Sequence, residues 1–282
     1  MEQPILILCG DARLDALCAL LRETGRPALR LNDTACEGTV KAAKTVVLPV
    51  PAVRDGCLSG DVARTPWRRV FALFSPVQRV FGGGFTAEQT AFLNERKIPF
   101  FDFLRDEGFT QYNAKLTAQG ALRLLLTQTE DDLSKQRVLI TGYGRVGKAV
   151  AVLLTATGCR CLVAARNEKQ RNEAVARGCE AISLTKLSAA LPAADIVCNT
   201  VPAPLFSAEL LHQRKKGSVF LELASAPFGA SKEDCLAAGL RYPDGRGLPG
   251  RFTPLAAARA MLRAIDEARE VIPWTDPSSA MR

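Results

Sequence analysis

Histidine is almost missing from this chain, with His212 the single one. A catalytic triad built on imidazole, or a metal site with several histidines, is thereby excluded or nearly so. His212 itself sits in a polar, helix-forming stretch, Ala208 to Lys216, which predicts a surface position. Long apolar runs are lacking too. The most hydrophobic stretch, 149–165, is broken by Gly158 and Arg160, so no bilayer-spanning helix is expected. Met1-Glu2-Gln3-Pro4 carries no basic region and leads into an apolar segment only as long as a strand, so no signal peptide is read. The nine cysteines are odd in number, scattered, and contain no CxxC pair. That pattern predicts reduced thiols in a cytoplasmic protein, without structural zinc or a redox-active dithiol motif.

What remains is a globular composition, 48% hydrophobic and 23% charged over 282 residues, enough for two domains that each bury a core. The net charge of +8 is dispersed. Its longest run, Arg214-Lys215-Lys216, falls at an expected helix C-terminus, where cations complement the helix dipole. No nucleic-acid motif accompanies the charge, and attraction of anionic small molecules is the expected use.

The second half alternates strands and helices: strand Arg137 to Ile140, helix Val146 to Thr157, strand Cys159 to Ala164, helix Glu168 to Arg177, and strands at Ile196 to Asn199 and Val219 to Leu223 flanking a helix near Ser207 to Lys216. Ser231 with Asp234 opens a further helix that Gly239 closes. This order predicts a parallel sheet with helices on both faces. The first half repeats the theme, with strands at Ile5 to Cys9, Ala28 to Leu31, Val46 to Val50, Arg69 to Phe74, Arg79 to Phe81 and Ile98 to Phe101, and helices at Arg13 to Glu23 and Thr86 to Arg96. Asn32 to Lys44 and Arg54 to Trp67 read as loops, and Thr117 to Thr129 as a connecting helix. A last helix, Pro254 to Val271, places Leu255, Ala258, Leu262 and Ile265 on one face. The fold class expected is thus two α/β domains, the second a Rossmann-type doubly wound parallel sheet. Their extents are an N-terminal substrate domain over 1–115, a connecting helix over 116–134, a nucleotide-binding domain over 135–250, and a C-terminal helix over 251–282 packing back on the first.

The strongest chemical signal is Gly142-Tyr143-Gly144-Arg145-Val146-Gly147, directly after an apolar strand and opening a helix. Gly142 suits a tight turn, Gly144 close approach of a pyrophosphate, and Gly147 close packing of helix on strand. Where an NAD site usually carries an acid, at the end of the next strand, the chain reads Arg166-Asn167 with Arg171 a helical turn further. Cations there suit the 2′-phosphate of NADP, with NAD the alternative. Thr200-Val201-Pro202 and Ala224-Ser225 follow sheet strands at their carboxyl ends and leave room for a nicotinamide ring.

Taken in order, several segments resemble the dipicolinate synthase A-chain family. They are Gly10-Asp11-Ala12-Arg13, Phe101-Asp102-Phe103, Asn113-Ala114, Thr117-Ala118-Gln119-Gly120-Ala121, the glycine turn, Asn199 to Pro204, Leu221-Glu222-Leu223-Ala224-Ser225 and Gly247-Leu248-Pro249-Gly250-Arg251. The chain departs from that pattern at Gln119, where Glu is expected, at Glu222, where Asp is expected, and at 226–229, which is less glycine-rich. The resemblance implies NADP-dependent oxidation of a dihydrodipicolinate-level dicarboxylate to dipicolinate in sporulation. It also implies a flavoprotein-like partner, the second component of dipicolinate synthase, and a homo-oligomer is expected. Such a substrate needs cations and hydrogen-bond donors facing an interdomain cleft. Arg13, Asn113, Lys115, Thr117 and Arg251 are the candidates, with help from the amides of Gly83 and Gly84. With no usable histidine, the proton acceptor is Asp11, Lys115, Glu107 or water. Two other readings stay open at this point: a 2-hydroxyacid or shikimate-type dehydrogenase, and a non-catalytic, nucleotide-binding regulatory protein.

Overall fold

The computed structural model describes residues 3–33 and 36–271. The chain divides into two compact units, one comprising the residues up to 113 together with those from 249 onward, the other 114–248.

In the first unit, β1 (Ile5–Leu8) leads through Asp11 into α1 (Ala12–Glu23), then β2 (Ala28–Leu31), α2 (Glu37–Ala42) and β3 (Thr45–Val47). A small antiparallel hairpin, β4 (Val53–Arg54) and β5 (Cys57–Leu58), precedes α3 (Trp67–Phe71), β6 (Arg79–Gly82), α4 (Ala87–Glu95) and β7 (Phe100–Asp102). The main sheet runs β2-β1-β3-β6-β7, and every pairing is parallel. Its strands are nearly continuous apolar runs because both faces are covered: Leu6, Leu8, Val46 and Val80 pack on one side, Ile5, Ile7, Val47 and Phe81 on the other.

Four local readings are corrected here. Arg69 to Phe74 is not a strand: Trp67, Val70 and Phe71 are spaced to bury one side of a helical turn, and Pro66 is its N-cap residue. The stretch read as a loop over Asn32 to Lys44 contains α2, and the one over Arg54 to Trp67 contains part of the hairpin. The connecting helix begins ten residues before Thr117, as α5 (Glu107–Gln128).

The second unit continues from α5 through β8 (Arg137–Thr141), α6 (Arg145–Ala156), β9 (Arg160–Ala165), α7 (Glu168–Ala176), β10 (Glu180–Ser183), α8 (Leu187–Ala190), β11 (Ile196–Asn199), α9 (Ala208–His212), β12 (Val219–Glu222) and α10 (Lys232–Ala237). Sequence patterning misses β10, a half-exposed edge strand without an apolar run. The sheet order is β10-β9-β8-β11-β12, all parallel, the doubly wound order whose direction reverses between β8 and β11. Buried Gly147, Val150, Ala151 and Leu154 recur at three- and four-residue spacing, which seats α6 on the sheet.

The chain returns to the first unit with α11 (Leu248–Phe252) and α12 (Pro254–Val271). The buried face of α12 is Ala257, Ala258, Met261, Ala264, Ile265 and Ala268, and all of these but Ala257 pack in one cluster with Leu14, Leu17 and Leu21 of α1. Leu255, expected on that face, is 45% exposed. The stripe is rotated toward the alanines because small side chains let two helices approach closely. Among the described residues no helix is long and apolar enough to cross a membrane.

Candidate functional site

The glycine turn lies at the carboxyl end of β8, next to the point where strand order reverses, where open α/β sheets bind ligands. Gly142 has φ +85°, and a Cβ there would also meet the Thr200 hydroxyl at 2.7 Å. A Cβ on Gly147 would lie 2.4 Å from the Gly142 carbonyl oxygen. These two glycines are therefore fixed by the protein itself. Gly144 differs, because its Cβ direction is open space. It is the N-cap residue of α6, and no side chain caps that helix. The amides and dipole at this terminus are available to a phosphate, so the residues present fit a dinucleotide.

The neighbouring predicted residues divide by role. Tyr143 is buried, its hydroxyl unpaired and its ring 5.7 Å from the Lys148 ammonium, so it serves the turn by its backbone. Arg145 is exposed on the first turn of α6, and Val146 is half-buried. Arg166 is exposed at the end of β9, Asn167 caps α7 through the Gln170 amide at 2.8 Å, and Arg171 donates to the carbonyls of Ala165 (3.1 Å) and Arg166 (2.8 Å). The two arginines thus share one corner of the unit.

Beneath the turn lies a polar network that sequence reasoning missed. Thr141, Asn199 and Glu222 end β8, β11 and β12, and all are buried. The Thr141 hydroxyl donates to Asn199 Oδ1 (2.5 Å), and the Asn199 amide donates to Glu222 Oε1 (2.7 Å) and to the Val201 carbonyl (3.0 Å). Glu222 also accepts from the amides of Ala224 (2.9 Å) and Gly229 (2.9 Å). Burial raises the Glu222 carboxyl above its usual range, against the opposing pull of these donors. The Thr200 hydroxyl donates to the Thr141 carbonyl at 2.7 Å. Thr200, Val201 and Ala224 are half-buried, while Pro202 and Ser225 are exposed. The signal that could have found the network is two polar residues, Asn199 and Glu222, closing otherwise apolar strands.

In the first unit, Asp11 is the N-cap of α1 and accepts from the Arg13 amide at 3.0 Å. Arg13 is not a loop residue; it lies on the first turn of α1, buried, with Nε and Nη2 on the Asp11 carboxylate. The same Nη2 donates to the Val50 carbonyl at 2.6 Å. Burial alone would raise the Asp11 carboxyl, but the Arg13 hydrogen bonds and charge hold it below its usual range. A carboxylate so held is a poor proton acceptor, which corrects that expectation for Asp11. Arg251 lies on α11 rather than in a loop, and the adjacent Gly250 is packed so closely on Asp11 that a Cβ would be 2.5 Å from its carboxylate. Asp11 and Arg13 are therefore paired with each other and packed against Gly250, while the exposed Arg251 guanidinium lies 5.1 Å from the centre of the Phe252 ring. Asn113, Lys115 and Thr117 sit inside α5, not at a loop junction. Four-residue spacing puts Asn113 and Thr117 on one face, and Lys115 is exposed on another. The amides of Gly83 and Gly84 are already used, donating to Pro49 O (3.2 Å) and Asp102 Oδ1 (2.8 Å), so their expected role in ligand binding is withdrawn.

Two surface expectations also resolve. His212 is exposed at the end of α9, a crossover helix running back from the carboxyl edge of the sheet, so it lies at the edge opposite the glycine turn. Arg214 does not cap a helix end in solvent. It is buried, donating to Ser218 Oγ (3.1 Å) and the Ala194 carbonyl (2.9 Å).

Residues 107–240 match the family model described as D-isomer specific 2-hydroxyacid dehydrogenase, NAD binding domain. The dipicolinate synthase A chain of Bacillus subtilis (strain 168) is 25% identical over 165 residues, 58% of this chain and 55% of that protein, so the match spans about half the relative's length. Among solved structures, the dipicolinate synthase A chain from Bacillus halodurans superposes with a TM-score of 0.80 at 19% identity, covering 94% of this chain and 97% of that one. Its Bacillus subtilis counterpart gives 0.77 at 20% identity, covering 96% of each. A Rossmann-type domain of the nicotinamide-dependent dehydrogenase kind is thus carried by a chain that is similar, in sequence and in fold, to the A chain of dipicolinate synthase.

Proposed function

We propose that this protein is an NADP-dependent oxidoreductase that converts a dihydrodipicolinate-level dicarboxylate to dipicolinate during sporulation, in the cytoplasm, as a homo-oligomer working with the flavoprotein-like second component of dipicolinate synthase. The observation that carries the redox part is the glycine turn, locked at Gly142 and Gly147 and open at Gly144, at a helix terminus that no side chain caps. The substrate part rests on the likeness to the Bacillus subtilis protein.

The cofactor would take up the hydride lost by the ring, while a proton leaves and the ring becomes aromatic. Backbone amides over 143–147 hold the pyrophosphate, and Arg166 and Arg171 hold the 2′-phosphate. Thr200, Val201, Pro202, Ala224 and Ser225 wall the nicotinamide side and keep water out. Arg251, next in the chain to the glycine packed on Asp11, anchors a substrate carboxylate, and Asn113, Lys115 and Thr117 supply further polar contacts from α5. Aromatisation provides driving force, so orientation and anion binding are the main tasks, and the proton passes to water.

The family model favours a second reading, a 2-hydroxyacid dehydrogenase. Such an enzyme normally pairs a histidine with an acid, and His212 lies at the far edge of the sheet. The deciding experiment incubates the purified chain, with and without the flavoprotein-like component, with freshly made dihydrodipicolinate precursor or, in parallel, a set of 2-hydroxyacids, and either cofactor, and follows dipicolinate absorbance and reduction of the cofactor. Turnover of a 2-hydroxyacid instead, or no turnover with either substrate class, overturns the proposal.

A further inference from the structure

The strand order divides any bound dinucleotide into two halves. The pyrophosphate belongs at the β8–α6 turn, and the arginine corner lies on the β9 side of it. The other half must then extend across β11 toward β12, over the two loops that leave those strands, 200–204 and 223–230.

Neither loop is held by regular secondary structure, yet both are tied to one carboxylate. Glu222 Oε1 accepts from Asn199 and Ala224, and Oε2 accepts from Gly229, so its two oxygens close the 223–230 loop at both ends and join it to β11. Asn199 passes the connection on. Its Oδ1 accepts from the Val201 amide (3.2 Å) and from Thr141 at the foot of the glycine turn. Gly229 is packed directly on this side chain, and a Cβ there would come within 2.4 Å of Asn199 Nδ2. The loop so fixed presents Phe228, 39% exposed, on the carboxyl side of β12. A buried carboxylate surrounded only by donors is costly to place and cannot be replaced by an amide without turning one N–H toward another.

We propose that Glu222 is a positioning residue for the nicotinamide half of the cofactor, acting through Asn199 and through the loop 223–230, and that it has no part in holding the adenosine half. The inference rests on the dinucleotide reading above and can be separated from it. Fragment binding supplies the readout, because a residue that merely supported the domain would weaken every part of the ligand alike.

The test is calorimetry on the full chain with NADP, NAD, and ADP-ribose with and without its 2′-phosphate, for the unmodified protein, Glu222→Gln and Glu222→Asp, with folding checked by circular dichroism. Glu222→Gln should weaken the preferred dinucleotide about tenfold or more, the scale of one lost charge-assisted hydrogen bond, and leave the matching ADP-ribose within about twofold. Glu222→Asp keeps the charge but loses reach, and should fall between the two; it carries the comparison if Glu222→Gln does not fold. Equal weakening of dinucleotide and fragment, or no weakening of either in a folded variant, overturns the role of Glu222 while the dinucleotide site stands. Failure of the unmodified protein to bind any of the four ligands overturns the dinucleotide reading, and this inference with it.

Discussion

Arg13 and Asp11 hold each other across a single turn of backbone: Nε lies 2.9 Å from Oδ1 and Nη2 2.7 Å from Oδ2, with the guanidinium buried and the carboxylate half exposed. Held by Asp11 and by the Val50 carbonyl, Arg13 is an engaged guanidinium more than a free anion clamp. Asp11→Asn keeps the helix cap but removes the charge, and should cost about 1–2 kcal/mol at neutral pH, discounted for the exposure of the carboxylate. Because Arg13 holds the Asp11 carboxyl below its usual range, that contribution is present above the unfolded value and is lost as pH falls through the folded one. Urea unfolding of both proteins from neutral to strongly acid pH should show the gap closing. A gap that stays constant would rule the charge out as its source.

The glycines of the turn should separate by what surrounds them. Gly144→Val points into open space and should leave stability nearly unchanged while abolishing dinucleotide binding. Gly147→Ala drives a methyl against the Gly142 carbonyl and should itself destabilise by about 1–3 kcal/mol. Thermal melts beside calorimetry distinguish the two, and normal binding by Gly144→Val would remove the site.

NADP should bind more tightly than NAD. Arg166 and Arg171 meet at the end of β9, and Arg171 is braced by two carbonyls. Arg171→Ala should lower the preference about tenfold, by loss of one charge-assisted contact to phosphate, and Arg166→Ala should act in the same direction. Equal affinity of the unmodified protein for the two cofactors would be the contrary result.

Glu222 predicts the opposite pH behaviour to Asp11. Its carboxyl is raised by burial, so its contribution to stability is full below the unfolded value and declines as pH rises through the folded one. Cys235 and Tyr242 are themselves pushed upward, by burial first and by the Glu222 charge second, Cys235 to about 12, so they stay neutral through this range. Stability measured from pH 4 to 8 should therefore fall more steeply for the unmodified protein than for Glu222→Gln, and parallel profiles would contradict the assignment.

Much of the second unit was legible because its signals are local: an apolar strand, a glycine turn and a helix stripe within some twenty residues. The buried network was not, since Thr141, Asn199 and Glu222 are joined only by strand order, which no short window contains. Near Phe71 the difficulty was ambiguity. Apolar residues at Phe71, Leu73 and Phe74 fit a strand as well as a helical turn, and packing around Trp67 and Phe92 decides it. On α12 Leu255 fits the apolar pattern yet lies outside the buried face, while Ala258, Ile265 and, partly, Leu262 pack as the pattern reads, joined by Met261, Ala264 and Ala268. The arginines stand out in the sequence but not as already engaged, because a salt bridge two residues long has no patterning of its own.

The first unit is interrupted in the chain: its sheet and α1 come from the opening residues, and the helix that covers α1 comes only after residue 253. During synthesis the ribosome therefore releases the whole nucleotide-binding unit before α12 exists. Until then Leu14, Leu17 and Leu21 have no helix over them, while the second unit already contains every strand of its own sheet. The domain begun first is the one completed last, which makes the nascent chain dependent on protection of an open apolar face, and a stop codon anywhere in α12 more damaging than its distance from the nucleotide site would suggest.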